Sequence, residues 1–381
     1  MSSASGKPSV FLHIGTEKTG TSTIQELFKR TRDAAKAAGL LYPALPLLGN
    51  TGSHFGLVHF AVDPSESRLK FADLHMRFPV DFRSNFESRL AEEIAGSGCE
   101  RILFSSEHLS SALHTQESVH RAIATMTKIS DDVRVIVYLR PQYELFPSAY
   151  STQVKGGRTT PCKLPNANNF FYDYDRMLAL WENAIGRDRI TVRLFSRREF
   201  KDGDFLADFF NTLGMTKPDW LGEVRTFNTR LGSEALEFLR VVNAVMSPSE
   251  TVRPGDGRIV QRNEMIQALE RFTGHGGTVV PVDMLIAIDA MYGKGNARVA
   301  ARYFPERGGQ LFPPFMPPNS PAEPIELSPK VAVEIALHLW TSRTETLVET
   351  RAQIRKSTAA NVPPAAANPA MPQHGAAATH S

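Results

Sequence analysis

The chain has 381 residues, of which 42% are hydrophobic and 22% are charged. This composition is typical of soluble globular proteins and argues against disordered, collagen-like and membrane-spanning classes. The chain has 43 basic and 40 acidic side chains, a net charge of +3. So small a net charge predicts no nucleic acid partner, and any anion site must be local.

The cysteines and the first residues bear on the compartment. Cys99 and Cys162 are too few for a disulfide framework or a four-thiolate zinc site, which predicts reduced thiols. No apolar run approaches the roughly 20 residues that span a bilayer. Residues 1–8 lack the basic-then-apolar order of a signal peptide. We therefore expect a cytoplasmic protein with no membrane span and a flexible segment at 1–8.

Four short apolar runs in the front half predict buried strands. Helical stripes lie between them, each closed by a glycine: one follows the first run and ends at Gly39, and another is Met177–Ile185. Strands that alternate with helices predict a parallel sheet covered on both faces, a three-layer α/β/α fold spanning 9–228. The four runs are Ser9–Ile14, Arg101–Phe104, Val133–Leu139 and Ile190–Phe195.

The remainder of the chain has a different pattern. Residues 229–356 predict a mainly helical extension, with helices from Ser233 to Met246 and from Pro329 to about Arg355. Residues 357–381 contain nine Ala and four Pro and no Asp, Glu, Lys or Arg. Such a segment cannot bury an apolar face, and we expect a disordered tail.

The segment after the first strand combines a glycine-containing turn with the start of a helix. Helix N-termini bind phosphate because their first amides are unpaired and the helix dipole is positive there. The spacing of Gly15 and Gly20 matches the P-loop of nucleotide triphosphatases, but Thr21 occupies the lysine position and Lys18 lies inside the loop. A helix cap beside a solvated lysine is the alternative. The segment is Gly15, Thr16, Glu17, Lys18, Thr19, Gly20, Thr21, Ser22 and Thr23.

A second candidate anion site follows the third predicted strand. Arg140 comes at the carboxyl end of Val133–Leu139, where open parallel sheets bind ligands, and Ser148 lies about two helical turns further on. An arginine and a hydroxyl suit a phosphate monoester. A surface arginine beside an ordinary helix serine is the alternative.

Together these two segments resemble the sulfotransferases that use 3′-phosphoadenylyl sulfate (PAPS). The first resembles their 5′-phosphosulfate loop, and Arg140 with Ser148 resembles their 3′-phosphate pair. Weaker similarity extends over Ser9–Phe312 and includes Asn228. The resemblance implies a P-loop-type fold, PAPS as co-substrate with adenosine 3′,5′-bisphosphate (PAP) as product, and no metal.

The resemblance also implies roles for individual residues. Lys18 would meet the charge that develops on the bridging oxygen, and the loop from Gly15 to Thr23 would hold the 5′-phosphate. A hydroxyl or amine acceptor needs a general base. Glu107 is the first candidate and His108 the second, because both follow the strand Arg101–Phe104. As an alternative, these residues merely cap the next helix.

The acceptor is expected to be a carbohydrate or another small molecule. The segments Tyr42–Val62 and Val154–Asn169 are predicted to shape its pocket, with His54 and Arg158 as weak substrate-binding candidates. A surface histidine is the alternative for His54. Two other functions stay open: an atypical P-loop kinase, and a nucleotide-binding protein without catalysis.

Overall fold

The computed structural model describes residues 6–45, 52–63, 81–221, 231–245, 258–274, 277–319 and 325–342. Five strands form one sheet in the order β2-β3-β1-β4-β5, with every neighbouring pair parallel. The carboxyl ends of the strands therefore share one edge. The strands are β1 (Ser9–His13), β2 (Leu40–Leu41), β3 (Arg101–Ser105), β4 (Val133–Leu139) and β5 (Ile190–Leu194).

The four predicted strands are confirmed, and β2 was not predicted. Its two residues, Leu40 and Leu41, pair with Arg101 and Ile102 of β3. A run this short has no periodicity to read, which is why the sequence pattern did not reveal it.

Helices occupy the connections between strands and most of the C-terminal part. Their bounds are α1 (Thr21–Arg30), α2 (Arg32–Ala37), α3 (Phe55–Ala61), α4 (Phe82–Ala95), α5 (His108–Ala112), α6 (Gln116–Ile129), α7 (Gln142–Lys155), α8 (Tyr174–Ile185), α9 (Phe205–Thr212), α10 (Ser233–Val245), α11 (Arg258–Arg271) and α12 (Val282–Tyr303). Residues 329–342 are also helical.

The predicted helix that ends at Gly39 is two helices. Thr31 leaves helical geometry at φ −111° and ψ 23°, and its hydroxyl donates to the carbonyl of Leu27 at 2.8 Å. Such a bond competes with the helical pattern and bends the chain. Gly39 has φ +80°, so its predicted place after the helix end is confirmed.

Alternate side chains of the strands enter two separate cores, one on each face of the sheet. On one face, Phe11 and Tyr138 pack with Phe28 of α1 and Phe209 of α9. On the other, Val10 and Leu12 pack with helices that include α3, α6 and α8. The fold is therefore α/β with three layers and a central parallel sheet.

The described C-terminal helices continue the second core. Leu239 of α10, Ile288 of α12 and Ile335 are buried in it, and α12 packs against α7 and α8. The extension thus covers the helices that follow β4. The segments 1–5 and 343–381, which hold most of the predicted flexible N-terminus and the whole predicted tail, lie outside the described residues. None of the described helices is long and apolar enough to cross a membrane.

Candidate functional site

The glycine loop lies at the carboxyl edge of the sheet, between β1 and α1. Gly15 has φ +101° and Gly20 has φ +80°, conformations that favour glycine. The loop is clamped to β4, since the amide of Tyr138 donates to the carbonyl of Gly15 at 2.7 Å and the amide of Thr16 donates to the carbonyl of Tyr138 at 3.0 Å. The path of the loop is therefore fixed by its neighbour in the sheet.

Two of the threonines in the loop, Thr19 and Thr21, are buried. Thr19 is fully buried, and its hydroxyl donates to the carbonyl of Thr16 at 2.6 Å. Thr21 is 4% exposed. A contact between either hydroxyl and a phosphate stays a prediction, since Thr19 already has a partner in the loop and Thr21 is buried. Ser22 is exposed and Thr23 is partly exposed, so these hydroxyls remain candidates.

Helix α1 begins directly after Gly20, which takes the N-cap position in left-handed geometry without a side-chain cap. The first turn of α1 contains no acidic residue that would compete with an anion. The amide of Thr23 donates to the carbonyl of Gly20 at 3.0 Å. The amides of Thr21 and Ser22 precede the first helical hydrogen bond, so this end can hold a phosphate.

Arg140 follows β4 and reaches the loop. One of its terminal guanidinium nitrogens donates to the carbonyl of Lys18 at 3.4 Å, and its Nε lies 2.9 Å from the Glu144 carboxylate. The carbonyl of Arg140 accepts a hydrogen bond from the Tyr174 hydroxyl at 2.7 Å. Ser148 lies in α7 and is partly buried. The structure therefore brings Arg140 against the glycine loop, 122 residues away in the chain.

Lys18 is the cation at the centre of the loop. Its φ of +63° is unusual for a residue with a side chain. Burial lowers its pKa from the ordinary value, the nearby Lys155 lowers it further, and Glu17 and Glu107 act in the opposite direction. An ammonium group that is withdrawn from water interacts strongly with any anion that approaches it.

Glu107 and His108 stand where α5 begins, beside the loop. A Cβ on Gly15 would lie 2.9 Å from Cα of Glu107, so the two backbones are in close contact. Glu107 takes the N-cap position, but its side chain makes no capping hydrogen bond; its carboxylate accepts from the Gln25 amide at 2.6 Å. Nδ1 of His108 lies 3.9 Å from a carboxylate oxygen of Glu17. Both candidate bases are partly exposed.

His54 lies in the interior of the protein and not at its surface. It is fully buried; one ring nitrogen accepts from the amide of Ser105 at 2.8 Å and the other lies 2.8 Å from the carbonyl of Pro43. Burial lowers its pKa to about 3. With both nitrogens engaged by the backbone, His54 ties the segment before α3 to the end of β3.

Arg158 is also committed to the protein itself. Its guanidinium donates to Gln153, Thr160 and the carbonyl of Pro161, and lies 5.0 Å from the centre of the Tyr150 ring. These contacts fold the segment after α7 onto itself. Each of its three guanidinium nitrogens donates at least one hydrogen bond within this segment, and a contact between Arg158 and the acceptor stays a prediction.

A narrow cleft opens beside the loop on the side of α5. It combines hydroxyl, aromatic and carboxylate groups from the loop, α5, α8 and the turn before α8. Its lining residues are Thr16, Glu17, Ser110, Ser111, Phe170, Phe171, Tyr174 and Met177.

The structure adds site residues that the sequence did not reveal. Gln25 and Glu107 are 82 residues apart, and Tyr174 is 34 residues from Arg140. No local spacing signals such pairs. Asn228 lies outside the described residues. Across the described part of the chain, no cluster of three His, Cys, Asp or Glu side chains could hold a metal ion.

Comparison with known proteins gives little similarity. No family model matches the chain. It is 29% identical over 89 residues to an uncharacterized protein of Archaeoglobus fulgidus, and this match covers 23% of the length of each protein. A sulfotransferase from Alicyclobacillus acidocaldarius superposes on 78% of this chain and 96% of its own, with a TM-score of 0.42 and 15% identity. A likeness of this size supports no inference about activity.

Proposed function

We propose that the protein is a sulfotransferase that moves a sulfuryl group from PAPS to a hydroxyl or amine acceptor. The observation that carries the proposal is the contact between Arg140 and the carbonyl of Lys18. It joins a loop suited to a 5′-phosphate and a guanidinium suited to a 3′-phosphate at one edge of the sheet. An enzyme that binds only a nucleoside triphosphate has no need of this second anion site.

In this proposal the amides at the start of α1 and the hydroxyls of Ser22 and Thr23 bind the 5′-phosphate. Arg140 and Ser148 bind the 3′-phosphate, with Asn228 as a further nucleotide contact. The acceptor oxygen or nitrogen attacks sulfur in line with the leaving phosphate. The new S–O or S–N bond forms while the bridging S–O bond to the phosphate breaks. Lys18 stabilises the negative charge that builds on the bridging oxygen.

The acceptor proton must leave during transfer, and Glu107 and His108 are the candidate bases. Both stand at the loop, and either can serve a hydroxyl acceptor. The acceptor class that we propose is a saccharide. The narrow cleft beside the loop has a volume of about 10 Å³, room for about one water molecule, so it does not identify the acceptor.

The direct test is a thermal-shift titration with PAP, AMP and Mg·ATP. A ligand that binds the folded state raises the melting temperature, so no acceptor need be known. We expect stabilisation by PAP, with at most a weak response to AMP. The Arg140→Ala variant should lose most of the PAP response. Arg134→Ala is the matched control, since Arg134 is an exposed arginine on β4, the strand that Arg140 follows, and pairs with Asp132.

The outcomes separate the proposed function from its alternatives. Stabilisation by Mg·ATP but not by PAP would favour a kinase. An equal rise in melting temperature with PAP and with AMP would contradict the proposed 3′-phosphate site. If PAP binds but labelled PAPS transfers sulfate to no member of a saccharide and amine panel, a binding protein without catalysis becomes the better description.

A further inference from the structure

A reciprocal pair of buried side-chain amides joins the C-terminal helices to the start of α7. Gln142, the first residue of α7, is 2% exposed, and Asn296 of α12 is 8% exposed. The Gln142 amide donates to the side-chain oxygen of Asn296 at 2.9 Å, and the Asn296 amide donates back to the side-chain oxygen of Gln142 at 2.9 Å. Because a buried amide is costly to leave without a partner, each residue fixes the position of the other.

Further hydrogen bonds hold the same end of α7. The side-chain nitrogen of Gln142 also donates to the carbonyl of Tyr172 at 3.1 Å, so both of its N–H groups have partners. The hydroxyl of the next residue, Tyr143, donates to the carbonyl of Pro313 at 3.0 Å. Two successive residues at the start of α7 are therefore held by the C-terminal part of the chain.

This end of α7 adjoins Arg140 of the candidate site. Only Pro141 separates Arg140 from Gln142, and a proline ring restricts the backbone on both of its sides. The carbonyl of Arg140 is held by the Tyr174 hydroxyl, and its guanidinium reaches the carbonyl of Lys18. A displacement of Gln142 would therefore move the backbone of Arg140 and change the direction of its guanidinium.

We propose that Asn296 is a positioning residue that acts through Gln142 and holds Arg140 where it binds a 3′-phosphate. This rests on the proposed function. The C-terminal helices then form part of the site that distinguishes PAP from AMP, since only PAP carries a 3′-phosphate. A role confined to stability would leave that distinction unchanged in any variant that folds.

The test is calorimetric titration of the full-length protein with PAP and with AMP. Asn296→Leu keeps the approximate size of the side chain and removes its amide. We expect its affinity for PAP to fall about five- to twentyfold, and its affinity for AMP to stay within about twofold of the wild-type value. Gln142→Met/Asn296→Leu replaces both amides by apolar groups, which can be nearly neutral for stability, and should bind PAP no more weakly than Asn296→Leu.

Asn243→Leu is the matched control. Asn243 is a 2% exposed asparagine of α10, and its amide donates to the carbonyl of Val154 at 2.8 Å, near the other end of α7. This variant should lower the stability of the fold and leave the ratio of the affinities for PAP and AMP unchanged. An equal change of that ratio in Asn243→Leu would overturn the proposal, as would an unchanged ratio in Asn296→Leu or in the double variant.

Hydrogen exchange without nucleotide separates this proposal from the proposed function. The backbone amides of Glu144 and Leu145 donate to the carbonyl of Pro141 at 2.9 Å, so their exchange reports on the first turn of α7. We expect exchange about three- to tenfold faster in Asn296→Leu and unchanged in Asn243→Leu. Equal affinities of the wild type for PAP and AMP would contradict the proposed function, while the exchange rates would still test the link from Asn296 to this turn. A wild type that prefers PAP, with an unchanged ratio and unchanged exchange in Asn296→Leu, would contradict only the positioning role.

Discussion

Gly15→Ala provides a sharp test of the loop. Gly15 has φ +101°, and a Cβ there would lie 2.9 Å from Cα and 3.1 Å from Cβ of Glu107. Because the nearest atom is backbone, a side-chain rotation cannot relieve the contact. The loop would have to move away from α5, and with it the amides proposed to bind phosphate.

Gly39→Ala is the matched control, since Gly39 has φ +80° and no atom within 4 Å of an added Cβ. Positive φ costs an alanine about 1–2 kcal/mol, and we expect this alone at Gly39. At Gly15 overpacking adds about 1–3 kcal/mol. For a domain of 150–250 residues, 1 kcal/mol corresponds to about 2–4 °C in melting temperature. The melting temperature of Gly39→Ala should therefore fall by several degrees, and that of Gly15→Ala by about twice as much.

Binding separates the two variants more clearly than stability. The melting temperature of each is measured with and without PAP. Gly39→Ala should keep the stabilisation by PAP seen in the wild type, because it lies away from the loop at the end of α2. Gly15→Ala should lose at least half of it. A full response to PAP in Gly15→Ala would show that nucleotide binding does not depend on the loop geometry, and would refute the reasoning.

Three further predictions concern charge. Lys18→Ala should lower the transfer rate from PAPS about 10²–10³-fold while PAP still binds, because its ammonium acts mainly in the transition state; a near-normal rate would remove Lys18 from the mechanism. Glu144→Gln should tighten PAP binding in calorimetry about two- to fivefold, because Glu144 competes with phosphate for Arg140; weaker binding would mean that Glu144 orients Arg140. Burial lowers the pKa of His54 to about 3. As pH falls below 6.5, the unfolded chain takes up a proton at His54 that the folded chain excludes, so the free energy of unfolding should decrease. The free energy of unfolding, measured in urea at several pH values below 6.5, should therefore change by about 1.4 kcal/mol per pH unit less in His54→Asn than in the wild type. An equal pH dependence in the two proteins would contradict this.

The parallel sheet was predictable because its strands are buried on both faces. Such strands read as continuous apolar runs, and VRVIVYL of β4 is the clearest example. Gly39 and Gly186 marked helix ends correctly, with φ of +80° and +85°. Neither α4 nor α6 was predicted, and β2 was too short to detect. What failed was the detection of elements whose local pattern is weak, rather than the choice of fold class.

The place of the candidate site at the sheet edge was predictable from local motifs, whereas its contacts between residues distant in the chain were not. The loop and Arg140 each follow a strand, so the sheet edge brings them together. The burial of His54 was not predictable, because tertiary hydrogen bonds decide where a polar side chain lies. The carbonyl of Pro43 and the amide of Ser105 are the partners of His54, and only one of them is near it in the chain.

The hydrogen bonds between β1 and β4 make the two proposed phosphate sites interdependent. Tyr138 binds Gly15 and Thr16 through its backbone, and Arg140 is only two residues further along. The Tyr138 side chain lies in the core that contains Phe28 and Phe209. There its hydroxyl donates to the buried carboxylate of Asp208 at 2.7 Å. A shift of β4 along β1 would therefore move Arg140 and the glycine loop relative to each other. The covalent structure of a nucleotide restricts the distance between its 5′- and 3′-phosphates, so a site for both requires that β1 and β4 keep a constant register.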